Sequence, residues 1–499
     1  MDKQRVKERL REAGLTFFLG PRECEFLTEH MPCGEMILSH SPRTHVESAE
    51  SDSKQLWLLG DYVDSHAEYA PGGVAQAILA ASRDIASLLA NCERLAGKFV
   101  AIACFSGAFY LFHDAFGLFP VHYSFLEGEA PRASSLEYLL AQELNLPLSR
   151  EAQRILRQAE PGMPLPNDLD RYEGVRFLLA NHMLNLSRRG CERFFPAKRK
   201  FSATAAEAAV ATVRLCGNVI RQYGAQNAFL CPLTGGWDSR LVLSLLLNNH
   251  ADVTCYTTIK AHFTEKDGDV WVPREITKRR GIPYSGLQDT PPTEETLDFV
   301  EELFGHRRYA QIQSTQFKNW GPDLLRVGGD IIDQIGKSAI GSYLPGFLAV
   351  PSFFLCKSHL YSLAAWRHTA RWCRRADVSG SSLTKYELYA WEQRAGRWVA
   401  LTGSVLAVLG VREINLFNCR ELMNTWVGVP RKERIHDQIH REIFKITAPD
   451  LMDIPFNPGI HTNRIKQIPP LFWAGTYTKY LRMMAKFRLR GAARKETAP

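Results

Sequence analysis

The run from Asn227 to Thr258 leaves this chain few folds to choose from. An apolar stretch, NAFLCPL, leads into Thr234-Gly235-Gly236-Trp237-Asp238-Ser239-Arg240; a helical stretch, SRLVLSLLLNN, and a second apolar run, DVTCYTT, follow. Apolar runs joined through a helical pattern are a βαβ rhythm, which predicts a parallel sheet covered by helices. Adjacent glycines let backbone amides turn toward one point without a Cβ clash, and the helix starting there adds its positive end. Such a corner suits an anion. Thr234 and Ser239 supply hydroxyls for phosphate oxygens, whereas Asp238 would repel phosphate unless a magnesium ion (Mg²⁺) lay between them. A bound nucleotide with its metal is implied.

The rest of the chain is long enough to surround such a site. Its 499 residues suggest about three domains, or two large ones, and can bury roughly 75% of the unfolded surface. With 45% hydrophobic and 23% charged residues the composition is that of a globular protein. Lysine and arginine number 61 against 53 acids, a net +8 that leans toward anionic partners but falls short of a dedicated nucleic-acid binder. The eleven cysteines form no CxxC pair and often sit in apolar runs, as Cys104, Cys231 and Cys255 do, which fits reduced, buried thiols in a cytoplasmic protein. The charged N-terminus lacks the apolar stretch of an export signal. Between Ser338 and Cys356 no acid, arginine or second lysine follows Lys337, but Gly341, Pro345, Gly346 and Pro351 interrupt the run. Buried irregular structure is expected there in preference to a membrane span.

Ahead of the βαβ unit, KFVAIACFSGAFYLFHDAFG and FPVHYSFLEG read as strands, with a hairpin at Ser106 and Gly107. Apolar spacing from Ala75 to Gly97 predicts one amphipathic helix ending on glycine. These features make an α+β layer over residues 1–150. A proline-bearing connector occupies 151–201, and the α/β parallel-sheet domain runs over 202–476. Beyond Pro345 the chain is expected to be largely helical. The tail, 477–499, carries Lys479, Arg482, Lys486, Arg488, Arg490, Arg494 and Lys495 against Glu496. It reads as a solvated helix, or as one that makes peripheral contact with an anionic membrane surface.

The full string at 234–239 resembles the SGGxDS loop of ATP pyrophosphatases, with Thr234 in place of the first serine, and in particular that of the asparagine synthetase family. A second stretch, LLRVGGDIIDQIG, is similar to that family's SGxGxDE loop, placing Gly328, Gly329, Asp330, Asp333 and Gln334 at its positions, with Ile331 where a second glycine is expected. The resemblance implies adenylation of a carboxylate by ATP, release of pyrophosphate, and displacement of AMP by an amine. It implies nucleotide contacts at Leu233, Thr234, Gly235, Gly236, Asp238, Ser239, Thr258, Gly328 and Gly329. Asp238 and Asp333 would hold Mg²⁺-pyrophosphate, and Asp330 would act beside the reacting carboxyl and amine. Asp269 resembles the family's acid ahead of a helix that ends at glycine.

In the first half, Asp114, Gly117, Pro120 and Tyr123 match the family's D-x-x-G-x-x-P-x-x-Y pattern. The resemblance implies a glutamine-amidotransferase-like sandwich there. The family's nucleophile is a cysteine directly after the initiator methionine, where this chain has Asp2, and a carboxylate is no substitute for a thiolate. The expected sandwich is therefore degenerate and inactive as a glutaminase. Relatives lacking that cysteine include β-lactam and carbapenam synthetases and lasso-peptide cyclases, so ammonia and other amines, and inter- and intramolecular amides, stay open. A nucleotide-binding scaffold without turnover is the alternative. The family's pyrophosphate-contacting lysine has Arg464 or Lys466 as possible replacements. Gly336-Lys337-Ser338 lacks the earlier glycine of a Walker loop. His436 and His440 have helical i,i+4 spacing without a third zinc ligand, so they read as solvated helix histidines.

Overall fold

Sequence alternation in the first half folds as two antiparallel six-stranded sheets in a computed structural model. The structure describes residues 3–51, 53–196, 198–288, 290–307, 324–332, 335, 344–458 and 469–493, with backbone alone at 469, 472 and 487–493. One sheet runs, edge to edge, Val175–Phe177, His122–Ser124, Arg132–Ser134, Phe17–Gly20, Met36–His40, Glu29–Cys33. The other runs Gly190–Arg193, His182–Asn185, Ala108–His113, Leu95–Phe105, Lys54–Asp64, Val46–Ser51. Phe17, Leu19 and Leu38 meet Leu59, Val100, Ile102 and Leu111 between the sheets. The two-residue period of a strand sends Leu56, Leu58 and Ala101 to the opposite face, where Ile78 and Leu79 of a helix cover them. Val6, Leu10 and Leu139 cover the first sheet in the same way, so the sandwich has four layers.

The hairpin at Ser106 and Gly107 forms: both have positive φ, and Phe105 pairs with Ala108. The single helix expected over 75–97 does not. It is two helices, Val74–Ala81 and Ile85–Asn91, because Asp84 and Ser87 close a capping box that starts the second one afresh. Gly97 lies inside a strand at φ +121, where a β-carbon would meet the Asp61 carbonyl at 2.3 Å. Three strands, Val175–Phe177, His182–Asn185 and Gly190–Arg193, come from the stretch read as a connector.

The second half is a parallel sheet. Its strands are β1 (Ala228–Pro232), β2 (Val253–Ile259), β3 (Tyr284–Gln288), β4 (Leu324–Gly328) and β5 (Glu413–Asn415), in the order β3-β2-β1-β4-β5. Every neighbouring pair is parallel, as the βαβ rhythm predicts. Helix α1 (Ala205–Gly224) starts on a Thr204–Glu207 capping box; α2 (Trp237–Asn248) and α3 (Gly268–Arg280) follow β1 and β2. Later come α4 (Pro351–Lys357), α5 (Gln438–Thr447) and α6 (Pro469–Ala493). From β1 the chain steps to β2 and β3 on one side, whereas β4 and β5 build on the other. The carboxyl ends of β1 and β4 therefore flank a topological switch point, where open α/β sheets bind ligands. Among the described residues no helix is long and apolar enough to cross a membrane.

Polar ties join the halves. The Asp114 carboxylate accepts from the amides of Leu118 and Phe119, both at 2.9 Å, and from Asn418 Nδ2 at 2.8 Å, so the D-x-x-G turn is held by the second half. Lys98, almost fully buried, donates to Glu413 at 2.9 Å, and Arg412 pairs with Asp61. Burial, with the Arg326 guanidinium nearby, pushes the Lys98 ammonium down to about 8.

Candidate nucleotide site

The carboxyl end of β1 delivers the first loop. Leu233 is buried and tied at both ends: its amide donates to the Tyr256 carbonyl at 2.8 Å, and its carbonyl accepts from Thr257 Oγ1 at 2.7 Å. Beyond it the chain turns on Gly235 and Gly236. Ser239 Oγ accepts from the Thr234 amide at 3.1 Å and lies 2.9 Å from Thr234 Oγ1. Thr234 Oγ1 in turn accepts from the Gly236 amide at 3.2 Å. Gly236 is the N-cap of α2 and, as glycine, brings no side chain of its own to that helix start. The amides of the first turn thus face the switch point with the helix dipole behind them.

Asp269, expected as an acid at a helix start, has a sharper position. Its Oδ1 accepts from the Gly235 amide at 2.8 Å, bracing the loop from the first turn of α3. A β-carbon at Gly235 would lie 3.0 Å from the Gly268 carbonyl, so the loop and the start of α3 approach closely here. Thr258, at the end of β2, is half-buried one residue past Thr257.

The end of β4 delivers the second loop, Gly328-Gly329-Asp330. Gly329 is buried against α2, where a β-carbon would lie 2.6 Å from Val242 Cγ2 and 3.3 Å from the Asp238 carbonyl. The loops at 234–239 and 328–330 are therefore neighbours, with Asp238 and Asp330 on adjoining turns. Asp330 is exposed, and its Oδ1 accepts from Asn415 Nδ2 at 3.0 Å, a contact supplied by β5. Earlier, on β4 itself, Arg326 donates to the Tyr256 hydroxyl at 3.0 Å and pairs with Glu413. Asp333 and Gln334 lie outside the described residues, as do Asp2, Arg464, Lys466 and the Gly336-Lys337-Ser338 stretch. The residues present fit a magnesium-bound polyphosphate: a glycine turn packed closely at Gly235 and Gly329, a helix start whose N-cap Gly236 has no side chain, two hydroxyls, and a half-exposed carboxylate at Asp238 that would hold the metal.

A layer of aromatic and cationic groups backs the first loop. Arg240 is fully buried; it donates to the carbonyls of Leu451 at 3.0 Å, Ile454 at 2.6 Å, Pro455 at 3.1 Å and Gly235 at 3.2 Å. Burial alone pushes its guanidinium down to about 10. Its plane lies 3.9 Å from Phe456, which stacks on Trp237 at 3.6 Å with only 2° between the rings. The Asn457 amide donates to the Gly235 carbonyl at 2.8 Å. The segment at 449–458 is thereby fastened to the back of the loop.

Arg240, Asn415 and Asn457 carry no sequence signal, because nothing in local spacing marks residues that meet across a fold. Of the two histidines expected to be solvated on a helix, His436 is exposed but off the helix, and His440 is on it but buried. His436 lies in the turn before α5, and Asp437, with φ +61, breaks the helix between them. His440 is 4% exposed, packs edge-on against Trp237 and Trp426, and lies 3.6 Å from Asp238 Oδ1. Far along the chain, His122, Glu137 and Asp170 bring possible ligand atoms within 4.8 Å of one another beside a cavity of about 580 Å³. That cluster is closed on itself, since His122 bonds Asp170 and Glu137 pairs with Arg171.

No protein-family model matches this chain, and no curated protein does. Solved structures similar to parts of it include a glutamine-dependent NAD+ synthetase from Acinetobacter baumannii in complex with ADP, at 12% identity and TM-score 0.20, over 36% of this chain and 41% of that one. This chain thus spans about two fifths of that synthetase's length. A U34-tRNA thiolase from Methanococcus maripaludis is similar at 10% identity and TM-score 0.22, over 56% of this chain and 80% of that one. A glutamine phosphoribosylpyrophosphate amidotransferase from B. subtilis, complexed with ADP and GMP, is similar at 11% identity and TM-score 0.22, over 66% and 72% respectively.

Proposed function

We propose that the chain is an ATP-dependent amide synthetase of the asparagine synthetase kind, in which a carboxylate is adenylated and an amine or ammonia then takes the acyl group. The observation that carries this reading is the seating of Gly329 against the Asp238 carbonyl, which puts the glycine turn of α2 and the acidic turn after β4 on one cleft. The first-turn amides of α2, with Thr234 and Ser239, would receive the phosphates. Asp238, with Asp333, would hold Mg²⁺, which supplies charge neutralisation to the polyphosphate when bound. A carboxylate oxygen of the substrate attacks the α-phosphorus, and the bond to pyrophosphate breaks. The amine nitrogen then attacks the acyl carbon, AMP leaves, and the nitrogen loses a proton. Asp330, fixed by Asn415, would stand beside that second attack and orient the amine. Catalysis on this reading comes from alignment and from support of departing negative charge.

The four-layer sandwich serves here as a partner body. Its D-x-x-G turn is engaged by Asn418, and Asp2 offers no thiolate. Carboxylate-dependent exchange between ATP and labelled pyrophosphate tests the proposal. With a panel of carboxylates the intact protein is expected to support exchange with at least one member, and Asp238→Ala is expected to reduce it by at least about a hundredfold. Tight ATP binding with no exchange across the panel would point to a scaffold instead.

A further inference from the structure

Helix α6 has two unlike sides. Trp473, Thr476, Tyr480, Met483 and Met484 recur at helical spacing and face inward: Tyr480, Met483 and Met484 join a core with Leu355 and Cys356 of α4. The helix start is fixed where the Trp473 indole donates to the Leu348 carbonyl at 3.2 Å. On the outer side, Leu471, Ala474, Thr478, Leu481 and Ala485 follow one another by three and four residues and are all exposed. Leu471 keeps 50% of its surface in water and Leu481 49%. Lys479, Arg482 and Lys486, again spaced by three and four, form the adjacent row and are exposed too. The helix contains no acid over Pro469–Ala493. Beside its start, the turn carrying Leu348 holds Phe347 at 80% exposure, against the expectation of buried structure in that stretch.

We propose that this outer face of α6 lies on the surface of an anionic lipid bilayer, with the leucine row set into the headgroup boundary and the cationic row against lipid phosphates. The charge pattern selects this occupant. A second copy of the helix would bring two like-charged rows together, whereas an acidic surface answers every cation along the row. The exposed Phe347 extends the apolar side beyond the helix start, and Tyr477, stacked on Trp473 at 5.3 Å, is a residue type that settles at headgroup level. The contact is peripheral, since no described helix can span a bilayer. This inference is independent of the chemistry proposed for the cleft.

The intact protein, floated with vesicles, tests it. Binding is expected to vesicles of phosphatidylcholine mixed with phosphatidylglycerol, to weaken as salt is raised, and to be absent with phosphatidylcholine alone. The triple variant Lys479→Gln, Arg482→Gln, Lys486→Gln is expected to lower partitioning by roughly a hundredfold, from about 1 kcal/mol per cation. The pair Leu471→Ser and Leu481→Ser is expected to lower it at every salt concentration. All five positions are exposed, so an unchanged melting temperature is expected. Equal binding to neutral vesicles, no binding, or full binding by the triple variant overturns the proposal. Self-association of the intact protein that Leu481→Asp abolishes, without vesicle binding, also overturns it and gives the face to a second copy.

Discussion

Gly329 faces the carbonyl of Asp238 with no room for a side chain: a β-carbon would sit 3.3 Å from that oxygen and 2.6 Å from Val242 Cγ2. One hydrogen in place of a methyl group thus sets how closely the two loops approach. Gly329→Ala is expected to push the turns apart, costing about 1–3 kcal/mol of stability through overpacking and weakening ATP about tenfold or more. Titration calorimetry with ATP and Mg²⁺, alongside denaturant unfolding, checks both effects.

Asn415 acts on Asp330 alone among the acids described at the cleft, through one hydrogen bond of 3.0 Å. Asn415→Ala is expected to lower pyrophosphate exchange about tenfold while leaving ATP affinity within about twofold, because the carboxylate loses its orientation and the glycine cradle keeps its shape. Equal losses in affinity and exchange would place Asn415 in general support of the sheet edge.

Arg240 satisfies four carbonyls and, among the described residues, pairs with no carboxylate. Replacing it with methionine takes this donor from the Leu451, Ile454 and Pro455 carbonyls, while Gly235 keeps the Asn457 amide, so a loss of about 3–5 kcal/mol is expected, with 449–458 becoming the first site of proteolysis. Arg240→Lys is expected to recover little, since a single ammonium cannot span carbonyls from two segments. Limited proteolysis followed by mass mapping reads the outcome.

Glu392 is fully buried and accepts from Arg193 Nη2 at 2.7 Å and Trp372 Nε1 at 2.7 Å. Burial opposes its charge, but the Arg193 guanidinium prevails and holds the carboxyl below the usual carboxylate range. A carboxyl lowered on folding stabilises the native state above its unfolded pKa, and that contribution disappears as pH falls through the folded value. Stability is therefore expected to drop below about pH 4.5. Glu392→Gln should flatten that acid limb and cost about 3–5 kcal/mol at neutral pH by stranding Arg193. Urea titrations across pH measure both.

What could be read from the chain alone was whatever local rules encode. The Gly235-Gly236 turn and the flanking β1 and α2 follow from glycine geometry and apolar runs, whereas the strand-end position of Gly328-Gly329-Asp330 was implied by the resemblance of its loop, and the fold has a strand and a turn there. The break at Asp84 was hidden because apolar spacing continues through it while a capping box overrides the period. Arg240 and Asn415 were invisible for a different reason. Their partners lie 211 and 85 residues away in the chain, and neither a buried guanidinium nor a strand-end amide has a spacing signature. His440 was misread because its i,i+4 distance from His436 assumed a continuous helix that Asp437 interrupts.

The short strand β5 closes the sheet on one side, and its first residue, Glu413, takes the ammonium of Lys98 from the sandwich. Neither half can therefore be expressed as a separate fragment without stranding a buried ion. A substitution at Lys98 in the sandwich therefore reaches the same sheet edge that carries Asn415 and, through it, Asp330, so each half constrains the residues the other can accept.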